Sequence, residues 1–259
     1  MTKSLKVLAI GDVVGRPGRD ILAAKLQGII DSARIDFVIV NGENAAGGYS
    51  ITQEIVQEFL KLGINVITTG NHIWDNNDVY SIIDSEDRLL RPANFHPGLP
   101  GKGYFVNSVK GIKICVINLM GRSQMQPIDC PFRVFDSIYD EFKNKIDIFI
   151  VDFHAETTSE KRAFGWYVDG RASFVYGTHT HVQTADEEIL TNGTAYITDI
   201  GMTGGFDSVI GMDKQSSIQR FIYRTKVKYD VASGNPKVNA VICFFDESKK
   251  AYKISRINE

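Results

Sequence analysis

Lys6-Val-Leu-Ala-Ile10, followed directly by Gly11-Asp-Val-Val-Gly-Arg-Pro-Gly18, is the stretch that decides the fold. The uncharged run reads as a strand buried on both faces, and the glycines and proline behind it read as a loop. Arg19 to Ser32 then places Ile21, Leu22, Leu26, Ile29 and Ile30 on one side of a helix. The same rhythm returns twice. Phe37-Val-Ile-Val40 is a second strand ending at Asn41-Gly-Glu-Asn44, and a helix capped near Thr52 buries Ile55, Val56, Phe59 and Leu60 before stopping at Gly63. Asn65-Val-Ile-Thr-Thr69 is a third strand that runs into Gly70-Asn71-His72. Strands alternating with helices, with antiparallel pairs farther along, predict an α/β fold with a mixed sheet system.

Farther along, Tyr104 to Val109 and Ile112 to Leu119 form a hairpin across Lys110-Gly111. A helix over Val134 to Asn144 leads to a buried strand, Ile146 to Phe153, that stops at His154. Thr157-Thr-Ser-Glu160 reads as a capped helix start. Ala172 to Tyr176 is the next strand and meets Gly177-Thr178-His179. Gly204-Gly205 with Asp207 suggests a flexible loop, and Val238 to Phe245 with Tyr252 to Ile257 reads as a closing antiparallel pair. No linker or repeat divides the chain, so residues 1–259 are expected to form a single domain.

Bulk properties narrow the function. A formal net charge of −2 gives no basic field for duplex nucleic acid, and 43% apolar with 23% charged residues is ordinary for a globular protein. The three cysteines, Cys115, Cys130 and Cys243, are sparse and form no paired motif, which fits a reducing compartment. The apolar run at Leu5 to Ile10 is too short for a signal-peptide core, and nothing later approaches a membrane span. The expected location is the cytoplasm.

Polar residues gather where strands end: Asp12, Glu43 with Asn44, Asn71 with His72, His154, and His179 with His181. Four of the five histidines lie in these clusters; His96 stands apart in a Pro-flanked loop. Ligands bind beyond the carboxyl ends of strands in α/β sheets, so residues distant in sequence can converge there. Singly, each has a structural explanation as a turn former or a hydrogen-bonded core group. His179-Thr-His181 adds more, because in extended backbone residues two apart point to the same side. Two carboxylates, two amides and three imidazoles without a thiolate exclude a structural zinc site and suit iron, manganese, zinc or nickel. The set is large for one ion and right for two with open positions. Two negative charges against at least four positive ones leave the site electropositive, which favours a bridging hydroxide and an anionic substrate.

At these residues the chain resembles the calcineurin-like metallophosphoesterases, whose motifs occur in the same order. Two departures stand out: Asp12-Val13-Val14 replaces the usual Asp-x-His, and Glu43 replaces the usual bridging aspartate. Asn41-Gly-Glu-Asn-Ala-Ala-Gly-Gly48, Arg91-Pro-Ala-Asn94, Phe153-His-Ala-Glu156 to Gly170 and Gly177 to Asp186 resemble the bacterial YmdB-like branch over nearly the full length. The resemblance implies a four-layer α/β/β/α sandwich and two metal ions per chain, iron (Fe2+/Fe3+) first, with Mn2+ or Zn2+ as alternatives. By position it implies that Asp12, Asn44 and His181 bind one metal and Asn71, His154 and His179 the other, with Glu43 bridging. His72 is then the general acid rather than a ligand.

The implied activity is phosphodiesterase hydrolysis of small diesters such as 2′,3′-cyclic AMP. A phosphomonoesterase using the same metals is a second reading, and a non-catalytic sensor of nucleotide or metal a third. The expected partner is a small nucleotide or phosphodiester, with no membrane and with a homo-oligomer as an open alternative.

Overall fold

The computed structural model describes residues 4–225, 227–228 and 230–259. Its strands are β1 (Leu5–Ile10), β2 (Asp12–Val13), β3 (Phe37–Asn41), β4 (Val66–Thr68), β5 (Tyr104–Val109), β6 (Ile112–Met120), β7 (Ile148–His154), β8 (Phe174–Thr178), β9 (Glu188–Ile189), β10 (Ala195–Ile197), β11 (Met202–Gly205), β12 (Pro236–Lys237), β13 (Asn239–Phe245) and β14 (Ala251–Asn258). The helices are α1 (Gly15–Ala33), α2 (Gln53–Lys61), α3 (Pro131–Phe142), α4 (Thr158–Val168) and α5 (Lys214–Tyr223). One sheet has the order β14-β13-β1-β3-β4, with β1, β3 and β4 parallel. A second has the order β5-β6-β7-β8-β10-β9, with β6, β7, β8 and β10 parallel. The small sheet β12-β11-β2 lies beside them.

Strand alternation builds the layers. In β1, Leu5, Val7 and Ala9 enter the core shared by both sheets, where Val116, Ile150, Phe174 and Tyr176 meet them. Leu8 and Ile10 face the other way, onto Leu22, Leu26 and Ile29 of α1 and Val56 and Phe59 of α2. The outer face of the second sheet, with Ile117, Val151 and Phe153, packs on Phe135 of α3 and on Phe164 and Val168 of α4. The architecture is a four-layer α/β/β/α sandwich, as the resemblance implies.

Several boundaries differ from the sequence reading. α1 begins at Gly15 rather than Arg19, so part of the expected loop is helix. Pro17 is tolerated because a first-turn residue has no intrahelical N–H bond to lose. Thr157 caps α4 through Glu160 N, but the Glu160 carboxylate accepts from Arg122 N and Ser123 N rather than from the cap residue. Gly204 and Gly205 are not a flexible loop: they are buried in β11, which pairs with β2 and β12. A Cβ on Gly205 would collide with Ala232 O, so backbone proximity demands glycine there. The sequence reading lacked β9 and β10, which are very short, and α5, whose Ile218, Phe221 and Ile222 stand at helical spacing but are exposed.

Cys115 and Cys243 are buried and Cys130 half-buried. Burial pushes the Cys115 thiol up to about 12 and raises that of Cys243 well above the ordinary value. Because the thiolate is the nucleophile, a disulfide reagent at pH 8 is expected to label Cys130 alone in the native protein and all three cysteines after unfolding. Rapid native labelling of Cys115 or Cys243 would contradict this packing.

Candidate metal centre

The two sheets present their carboxyl ends to one place. From the first come Asp12, just after β1, Glu43 and Asn44 after β3, and Asn71 and His72 after β4. From the second come His154, which ends β7, and His179 and His181, which follow β8. His154 Nε2 lies 3.0 Å from Glu43 Oε1, 3.0 Å from Asn71 Oδ1 and 3.0 Å from His179 Nδ1. Beside this group, His181 Nε2 lies 3.3 Å from Asn44 Oδ1 and 3.8 Å from Asp12 Oδ1. The structure thus gathers all seven residues expected to be ligands into two adjoining groups. His72 stands apart: its N–H donates to Glu43 Oε2, and its Nδ1 lies 2.6 Å from Asp75 Oδ2.

What lies outside the imidazoles fixes which nitrogen carries the proton. Thr178 donates its hydroxyl proton to Asp152 Oδ1 at 2.6 Å, so it accepts from His154 Nδ1 at 2.9 Å. Ile210 O accepts from His181 Nδ1 at 2.8 Å, and Glu156 Oε2 accepts from His179 Nε2 at 2.9 Å. Each ring therefore turns its other nitrogen, Nε2 of His154 and His181 and Nδ1 of His179, into a cluster that holds oxygen atoms of Asp12, Glu43, Asn44 and Asn71. Asp12 Oδ1 is buried without a hydrogen-bond partner among the described residues. Lone pairs facing lone pairs in a buried site call for a cation, and the donor set fits one. Glu43, His154 and His179 present ligand atoms within 4.8 Å of one another and form a candidate metal cluster.

The electrostatics agree. Burial opposes ionisation of Glu43, but His154 outweighs it and holds the carboxyl at about 2. Burial likewise disfavours a charged His154, yet Glu43 and Asp12 raise it to about 9, so the cluster favours positive charge at this point. Burial raises the Asp12 carboxyl against the pull of His181 and His154. Burial, then the charge on His154, lowers His179 to about 3.

The paired histidines are not on extended backbone, contrary to the sequence reading. β8 ends at Thr178, and His179 and His181 have φ of 94° and 64°. The rings consequently serve the two groups separately. Such conformations cost about 1–3 kcal/mol each and need support. Asp199 provides it: its Oδ2 accepts from Thr180 N at 3.1 Å, from Thr180 Oγ1 at 2.7 Å and from Lys161 Nζ at 2.7 Å. Both members of the Lys161–Asp199 pair are buried. Close packing also restricts Gly70, where a Cβ would collide with the His154 ring and lie 2.5 Å from Glu43 Oε2.

Sequence reading missed these supporting residues. Asp75 and Glu156 stand three and two positions beyond His72 and His154, near enough to have been noticed. Asp152 lies inside a strand that reads as core, Thr178 sits in the histidine motif without a role assigned to it, and nothing local marks Ile210 or the Lys161–Asp199 pair.

Residues 8–257 match the family described as YmdB-like protein. The chain belongs to the YmdB-like family, a branch of the calcineurin-like metallophosphoesterases. A Bacillus subtilis (strain 168) member, 2′,3′-cyclic-nucleotide 2′-phosphodiesterase, is 46% identical over 254 residues, covering 98% of this chain and 96% of its own. A hypothetical protein of Thermus thermophilus superposes with a TM-score of 0.94 at 40% identity, covering 98% of this chain and 99% of the other. A Mycoplasma pneumoniae structure described as a novel phosphatase does so at 0.94 and 36% identity, covering 100% and 94%. This YmdB-like chain is a metal-dependent hydrolase of the metallophosphoesterase type.

Two substitutions test the architecture of the site. Gly70→Ala is expected to abolish metal uptake, read by elemental analysis, while the circular dichroism spectrum is retained; full metal content would show that the cleft yields to a methyl group. Lys161→Met leaves the Asp199 charge buried without its partner and is expected to lower stability by about 3–5 kcal/mol in denaturant unfolding. A loss under about 1 kcal/mol would mean that the pair does not hold the turn.

Proposed function

We propose that this YmdB-like chain is a phosphodiesterase that hydrolyses small phosphodiesters, 2′,3′-cyclic nucleotides foremost, with two metal ions, iron first and manganese or zinc as alternatives. The observation that carries the reading is the set of three imidazoles whose outer N–H groups are each taken by an acceptor, with their inner nitrogens turned on four oxygen-bearing side chains. In this assignment Asp12, Asn44 and His181 hold one ion and Asn71, His154 and His179 the other. Glu43 lies between them, supported by its contact with His154 and by the mutual influence of the Glu43 and Asp12 charges. The name of the Bacillus subtilis relative supports the choice of substrate.

When bound, the ions neutralise phosphate charge and make water a nucleophile near neutral pH. The chain's own residues do the rest. Thr178, Glu156 and Ile210 O hold the three rings in register, and Glu43 fixes His72 beside the cluster by accepting its backbone N–H. Asp75 accepts from Nδ1 of His72, which leaves Nε2 as the nitrogen that delivers a proton to the departing ester oxygen. The His72 ring lines the cleft over the cluster. The phosphatase description of the Mycoplasma pneumoniae structure favours phosphomonoester hydrolysis as a second reading.

Protein purified without added metal is expected to carry about two metal ions per chain and to lose activity on chelation. Assayed on 2′,3′-cyclic AMP, a bis-aryl phosphate and a mono-aryl phosphate, it is expected to prefer the diesters; preference for the monoester would select the phosphatase reading. His72→Ala is expected to retain metal and lose roughly 10²- to 10⁴-fold in kcat, and full turnover in that variant would remove His72 from the reaction.

A further inference from the structure

The cleft over the metal cluster has a volume of about 320 Å³, and part of its lining is apolar. Val209, Ile210 and Met212 come from the loop after β11, and Phe221 comes from α5. That wall is tied to the site, because Ile210 O accepts from His181 Nδ1. Phe221 is 73% exposed, a large aromatic side chain left in water beside polar catalytic groups. One helical turn earlier, at i and i+4 on the same face, Ser217 also lines the cleft. It is 2% exposed, and its Oγ is buried without a hydrogen-bond partner among the described residues.

A phosphodiester held at the cluster must send its organic substituent along this cleft. A bare sugar or glycerol substituent is edged with hydroxyls and gains little from Phe221, Ile210 and Met212. A planar heteroaromatic ring gains both ways: its face stacks on an aromatic side chain, and its edge offers a donor or acceptor to a serine hydroxyl that can play either part. An unsatisfied buried hydroxyl is costly, and a base edge would satisfy it.

We propose that Phe221, together with Ser217, forms the nucleobase subsite of the metal cleft, so that the substrate is recognised as a nucleoside phosphate ester and not merely as a cyclic phosphate. This rests on the phosphodiesterase reading of the same site. Phe221 supplies the stacking face and Ser217 the edge contact, while the phosphate is left to the cluster.

Calorimetric binding of adenosine 3′-monophosphate and of glycerol 2-phosphate to the metal-loaded enzyme tests the subsite without turnover. Wild-type protein is expected to favour the nucleotide. Phe221→Ala is expected to reduce that preference about 5- to 150-fold, the range for loss of one base stack, and Phe221→Trp to preserve it. Ser217→Ala is expected to reduce it about 2- to 12-fold. The ratio of kcat/KM for 2′,3′-cyclic AMP over glycerol 1,2-cyclic phosphate is expected to fall in step, through KM. Equal affinity of the wild type for both ligands, or an unchanged preference in Phe221→Ala, would overturn the subsite. Equal turnover of both cyclic esters would overturn it too, yet leave the phosphodiesterase reading standing. A Phe221-dependent preference without cyclic-ester turnover would keep the subsite and overturn that reading instead.

Discussion

The meeting of His154 Nε2 with Glu43, Asn71 and His179 is the constraint on which the rest of the molecule depends. Two of those partners come from the first sheet, and His154 and His179 come from the second. The sheets are otherwise joined by non-directional apolar packing, which fixes their spacing more loosely than it fixes their contents. Polar convergence at one end adds direction. It requires the carboxyl ends of β1, β3, β4, β7 and β8 to lie together, and a slide of one sheet against the other would separate donors that must sit about 3 Å apart.

Beneath the cluster a second polar stratum crosses the same boundary. Asp152 on β7 accepts from Asn41 on β3, Thr68 on β4 and Thr178 on β8, and Thr178 in turn accepts from His154. Burial raises the Asp152 carboxyl to about 7 even though these groups favour its charged form. Such a network is costly when incomplete and rigid when satisfied, which suits a site whose ligands must not wander. The strained His179-Thr-His181 turn has a parallel device in Asp199 and Lys161.

Chemistry, not cavity size, locates the site. A cavity of about 900 Å³, lined by residues such as Arg91, Tyr104, Cys130 and Arg133, shares no lining residue with the metal cleft. Arg91 donates there to Pro100 O, Pro92 O and Leu99 O, so its charge is spent on holding a loop. The smaller cleft has the imidazoles of His72, His179 and His181, the Glu43 carboxylate and an apolar wall. That combination can hold cations, an anion and an organic group at once.

By itself the sequence determined the alternation of strands and helices and the polar residues that end the strands, which the structure brings together. Uncharged runs such as Val7 to Ile10 can only be buried strands, and the helices between them carry apolar residues at helical spacing. Asp12, Glu43, Asn44, Asn71, His154, His179 and His181 were legible because each interrupts an apolar run at its end, where a core explanation is weakest. Only the tertiary structure decided which oxygen faces which nitrogen. Asp75, Glu156, Ile210 and the Lys161–Asp199 pair act through contacts that no local pattern announces. The positive φ of His179 and His181 overturned a reading based on extended backbone. α5 carries Ile218, Phe221 and Ile222 at helical spacing, but only the tertiary structure decided that this face stays exposed, with Phe221 beside the cleft.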